Sequence, residues 1–110
     1  MELLDYKGTW SEFEVQSLAF SILRKNLYPD YFIRGEYKFP YCRVDIAVWK
    51  PTDDRSKANL ICVLEVKKTA NGKSTSQAER YNQLLNVPVI YIRGSEDAYN
   101  VLALVKPYLK

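Results

Sequence analysis

The 110-residue sequence contains no histidine. That removes the imidazole general base, triads built on histidine and zinc sites with an imidazole ligand. Two cysteines, Cys42 and Cys62, do not by themselves make a zinc site. No run of about 18 apolar residues occurs, so no membrane-spanning helix is expected. No secretory h-region precedes the cysteines. They are therefore expected to be reduced, small hydrophobic residues of an intracellular, cytoplasmic protein. Hydrolytic chemistry, if present, must come from carboxylates, lysine, tyrosine or a metal ion.

What is present fits one folded domain over residues 1–110. Hydrophobic residues make up 47% and charged residues 26%, a globular balance with enough apolar material for one core. The net charge is +3. Residues 50–80 hold seven Lys/Arg and four Asp/Glu, and the difference of three accounts for the whole excess. This permits a nucleic-acid partner without requiring one.

The informative stretch runs from Arg43 to Lys68. Two apolar, strand-like runs, Arg43–Lys50 and Leu60–Lys68, each carry an acid where an apolar residue would be expected: Asp45 in the first and Glu65 in the second. Side chains alternate across a strand, so Glu65 and Lys67 emerge on one face. If the two runs pair, Asp45 can join them. Two carboxylates and an ammonium on one patch can hold a divalent cation and activate a water. Ordinary ion pairs, Asp45 with Arg43 or Glu65 with Lys67, are the structural alternative. Against it, Val63, Leu64 and Val66 give Glu65 buried neighbours, and a buried ion pair often brings no net stability.

The remaining pattern predicts α-β-β-β-α-β-α. Thr9–Tyr28 reads as a helix with neither glycine nor proline inside and Pro29 just past its end. Thr9 with Glu12, and Ser11 with Glu14, both fit a capping box. On a helical wheel starting at Trp10, Val15, Leu18, Ala19, Phe20, Ile22, Leu23 and Leu27 fall between roughly 80° and 280°. Glu12 at roughly 200° and Gln16 at roughly 240° fall inside that arc, so both are expected to face the protein body. Strands are predicted at Phe32–Phe39, Arg43–Lys50, Leu60–Lys68 and Val87–Arg93, the third central and the fourth parallel to it. Further helices are predicted at Gln77–Asn86 and Glu96–Leu109. The fold class is α/β, a mixed four-stranded sheet flanked by helices.

Asp45 followed by Glu65-Val66-Lys67, on this element order, resembles the PD-(D/E)xK nuclease superfamily across nearly the whole chain. Gln77-Ala78-Glu79-Arg80-Tyr81 is similar to the Gln-x-x-x-Tyr motif of RecB-type nucleases, as in small VRR-NUC members. Val44 stands where a proline often precedes the aspartate. The resemblance implies a restriction-endonuclease-like core and a metal-dependent DNA endonuclease hydrolysing phosphodiester bonds, of homing, phage or restriction type. It implies Mg²⁺, with Mn²⁺ as a substitute, held by Asp45, Glu65, the Val66 carbonyl and Glu12, with Lys67 stabilising the attacking water. Gln16, Gln77 and Tyr81 would support the site. Lys50, Arg55, Lys57, Lys68 and Lys73 would contact phosphates, and a homodimer or higher symmetric oligomer would supply two sites for a duplex cut. A Holliday-junction resolvase, and an inactive nucleic-acid- or protein-binding module of the same fold, stand as alternatives.

Overall fold

Ser11 opens the first helix. Its hydroxyl accepts the Glu14 N–H (3.1 Å), while the Glu14 carboxylate accepts the Ser11 N–H (3.0 Å). This reciprocal pair is a capping box and satisfies two donors that a helix start leaves open. A computed structural model describes residues 10–54, 57–67 and 83–109. In it, helix α1 spans Glu12–Leu27 and is followed by β1 (Phe32–Lys38), β2 (Arg43–Pro51), β3 (Ala58–Lys67) and β4 (Val89–Arg93). Two short helices, α2 (Ser95–Tyr99) and α3 (Val101–Val105), and a 3₁₀ turn at Lys106–Tyr108 close the described chain.

The architecture is the expected α/β one. The sheet order is β1-β2-β3-β4, with β1/β2 and β2/β3 antiparallel and β3/β4 parallel. Of the helix expected at Gln77–Asn86, residues 83–85 are helical, and the part up to Tyr81 and Asn82 lies outside the described residues. The single helix expected over Glu96–Leu109 is instead broken into three pieces. Asn100 leaves the helical region (φ −97°, ψ 15°) and Pro107 supports the 3₁₀ turn. Asparagine is a weak helix former, and proline has no N–H to continue the ladder.

Packing explains the order of the layers. Val15, Ala19 and Leu23 lie four apart on α1, so they form one stripe, and all three are buried. They meet Ile33, Ile46, Val48, Cys62, Leu64, Val66, Ile90 and Ile92 from the sheet, with Ala98, Val101 and Val105 from α2 and α3. The opposite sheet face carries a smaller cluster of Val44, Ala47 and Val63, packed with Tyr37, Trp49, Leu85 and Val89. Covered on both faces, β3 is buried from Cys62 to Val66. Burial also pushes the Cys62 thiol pKa up to about 12, keeping it protonated.

One irregularity in this frame matters for the chemistry. Val44 and Ile46 lie two apart in β2 and would share a face in a regular strand, yet they pack into opposite clusters. Between them stands Asp45. On β1 the pairing likewise skips Glu36, between Gly35 (level with Ile46) and Tyr37 (level with Val44), and Glu36 takes a left-handed backbone (φ 48°). Such a conformation costs a non-glycine residue about 1 kcal/mol or more. The sheet is therefore locally twisted at Asp45.

The capping box gives a direct test of the helix start. Ser11→Ala should lower stability by about 1 kcal/mol and the Tm by several degrees, while Glu12→Ala should leave the Tm nearly unchanged. Thermal unfolding followed by circular dichroism measures both. An unchanged Tm for Ser11→Ala would refute the assigned cap.

Candidate metal centre

Asp45 sits where β2 and β3 part. The paired register between these strands ends at Ile46 opposite Leu64. One step further, the Val66 N–H donates to the Asp45 carboxylate, Oδ2, at 2.7 Å. A side chain thus takes the donor that a backbone carbonyl of β2 would otherwise take. A hydrogen bond to a charged acceptor contributes about 1.5–3 kcal/mol, and this one holds the carboxylate at the strand fork. From the helix side, Gln16 Nε2 donates to the Asp45 carbonyl oxygen at 3.3 Å. Both backbone and side chain of Asp45 are therefore held by neighbouring elements.

Glu65 lies beside it on β3. It is the one charged residue that is buried among those described, at 7% exposure. Its Oε1 has no hydrogen-bond partner among the described residues. Burial, and then the adjacent Asp45 charge, push the Glu65 pKa up to about 7. A hydrogen bond from the Asp45 backbone and the Lys67 ammonium pull the other way. A buried carboxyl oxygen with no partner is costly unless something pairs with it. Two carboxylates, with the Val66 carbonyl adjacent in sequence, are hard oxygen donors of the kind Mg²⁺ and Mn²⁺ prefer. The donor set suits such an ion.

Lys67 follows two residues later, half-buried, with Nζ 5.6 Å from the centre of the Tyr91 ring. The parallel register sets Glu65 level with Tyr91 and Lys67 level with Arg93. The Arg93 guanidinium also lies over the Tyr91 ring, at 5.7 Å. One aromatic ring thus meets two cations beside the acids. Tyr91 and Arg93 carry no motif. Only the parallel pairing of β4 on β3, which the pattern predicted, could have brought them into view.

Other expected residues stand apart from this group. Glu12 is exposed in the first turn of α1 and does not face the protein body. The capping-box acid is Glu14 rather than Glu12. Among the described residues, no three acids or cysteines are close enough to share a metal, so Glu12 does not complete a triad with Asp45 and Glu65. The reason is positional. A wheel gives direction around the helix axis, whereas a residue in the first turn lies at the very end of that axis.

Lys50 and Lys57 are exposed at the other end of the sheet. Lys50 pairs with Asn59 beside the β2–β3 turn. At about 3.3 Å per residue, Lys50 is roughly 16 Å along β2 from Asp45 and Lys57 roughly 26 Å along β3 from Glu65. They do not flank the acids, because an antiparallel hairpin carries its turn away from its open end. Gln77, Tyr81, Arg55, Lys68 and Lys73 lie outside the described residues.

No family model, curated protein or solved structure matches the chain. No helix among the described residues is long and apolar enough to cross a membrane.

The raised Glu65 pKa sets a pH dependence of stability. The folded protein holds this proton more tightly than the unfolded chain, whose ordinary value is 4.5. The stabilisation is complete below that value and is lost as the pH rises through about 7. The span corresponds to at most about 3 kcal/mol. In metal-free buffer, Tm should fall between pH 5 and pH 8 for the wild type and fall much less for Glu65→Gln. Equal slopes for the two proteins would contradict the assigned burial.

Proposed function

We propose that this chain is a divalent-metal-dependent nuclease that hydrolyses phosphodiester bonds in DNA. The observation that carries the reading is a buried carboxyl oxygen of Glu65, without a hydrogen-bond partner among the described residues, beside the anchored carboxylate of Asp45, with Lys67 two residues along the same strand.

Asp45 and Glu65, with the Val66 carbonyl, would hold Mg²⁺ or Mn²⁺. When bound, such an ion lowers the pKa of its water and polarises the phosphate. The chain's own residues account for the rest. Asp45 is fixed by the Val66 N–H and by Gln16, so its carboxylate approaches from one direction. Glu65 must give up its proton to act as a ligand, and its pKa near 7 makes that loss accessible at neutral pH. Lys67 carries a positive charge to the place where negative charge develops on the phosphorane-like transition state, which is where charge lowers a barrier. Tyr91 supports that ammonium from beneath. A carboxylate, lysine and metal set needs no histidine, in keeping with the composition. One such site cuts one strand, so cleavage of both strands of a duplex calls for a symmetric oligomer.

Cleavage of supercoiled, branched and single-stranded DNA tests the proposal. Nicking or linearisation is expected with Mg²⁺ or Mn²⁺ and not with EDTA. Lys67→Ala and Asp45→Asn should each lower the rate by at least about 10²-fold, the loss typical for a group that stabilises transition-state charge. Cleavage that persists unchanged in either variant would refute the roles assigned. DNA binding without cleavage on every substrate would instead favour a binding module of the same fold.

A further inference from the structure

Tyr91 and Arg93 stand on the same face of the sheet as Glu65 and Lys67. On β3, Leu64 and Val66 belong to the core under α1, and Val63 to the opposite cluster. Side chains alternate along a strand, so Glu65 and Lys67 fall on the face away from α1. On β4, Ile90 and Ile92 belong to the α1 side, and Val89 packs against the opposite cluster. Tyr91 and Arg93 therefore fall on that same opposite face. The parallel register sets Lys67 level with Arg93, on strands about 4.8 Å apart. Both cationic groups lie over one ring, with Lys67 Nζ 5.6 Å and Arg93 Cζ 5.7 Å from the centre of Tyr91.

Two cations held level on neighbouring strands repel each other, and an anion received by both offsets that repulsion. The order across the sheet shows how they divide the work. Asp45 lies on β2, Glu65 and Lys67 on β3, and Arg93 on β4, the edge strand on the side away from Asp45. A phosphate at the two acids meets Lys67 first, and the next position outward belongs to Arg93. Lys67 is half-buried, whereas Arg93 is exposed. The guanidinium is a planar fork that takes phosphate bidentately. The nearby carboxylate of Asp97 accepts the Arg93 backbone N–H at 2.8 Å, a main-chain contact that a side-chain substitution leaves in place.

We propose that Arg93 grips the DNA phosphate next to the one being cut, beside Lys67 at the scissile phosphate. This rests on the nuclease reading above. Lys67 acts on the charge that develops in the reaction, and Arg93 holds the backbone in line with the acids. A contact of this kind carries affinity and salt dependence but no base sequence.

The test is the salt dependence of DNA binding, measured by fluorescence anisotropy on a labelled duplex with Ca²⁺ in place of Mg²⁺. Each phosphate contact contributes about 0.9 to the slope of log K against log salt. Arg93→Ala should lower the slope by about 0.9 and weaken binding by about tenfold, as expected for one charged hydrogen-bond contact. Arg93→Lys keeps the charge and loses the fork, so it should keep the wild-type slope while binding more weakly. The double variant Lys50→Ala, Lys57→Ala should leave the slope unchanged. Should Arg93→Ala not keep the wild-type Tm, Arg93→Gln replaces it with the same expectation. A wild-type slope in the neutral variant, or an equal fall in Arg93→Lys, would overturn the role of Arg93 while leaving the nuclease reading intact. A wild-type protein that binds no DNA would overturn both.

Discussion

The hydrogen bond from the Val66 N–H to the Asp45 carboxylate is the contact on which the site depends. Where β2 and β3 separate, the backbone ladder cannot continue, and a side chain takes its place. That substitution fixes Asp45 at the fork, next to the acid of the buried central strand. The local twist of β2, with Val44 and Ile46 in opposite clusters, is the geometric expression of the same event. So is the left-handed backbone of Glu36 on the facing strand. Strain of this sort persists only where surrounding packing over-determines it. Here the packing comes from α1 on one face and from the Tyr37, Phe39 and Trp49 cluster on the other.

Burying Glu65 follows from its place on β3. A strand covered on both faces has no solvent to offer a carboxylate, and the adjacent Asp45 adds a like charge. A protein that needed only stability would be better served by an apolar residue there. The site is thus held in tension. The fold stabilises the protonated acid, whereas a bound cation would stabilise the ionised one. Metal affinity and the protonation of Glu65 are therefore linked, and the same residue governs stability in metal-free buffer.

Much of this was legible in the sequence, for local reasons. The strands carrying Asp45, Glu65 and Lys67 declared themselves by apolar runs interrupted by acids, and the mixed sheet with a parallel last pair followed from element order. Gln16 lay on the inward arc and does meet Asp45. The inferences that failed depended on position along an axis. Glu12 had the right direction on the wheel but lies at the exposed helix end. Lys50 and Lys57 were near the acid-bearing strands in sequence but belong to the turn end of the hairpin. The last helix broke at Asn100, where weak local propensity yielded to packing of Ala98, Val101 and Val105 against the core.

The central claim is that Asp45 and Glu65 together hold a divalent ion. Isothermal titration of the protein with Mn²⁺ at pH 8 tests it without reference to catalysis. Wild-type protein should bind the ion, Asp45→Asn and Glu65→Gln should each weaken binding by more than about tenfold, the least expected when a direct ligand is lost, and Glu12→Gln should leave it unchanged. Binding that survives both carboxylate substitutions, or that depends on Glu12 instead, would contradict the account.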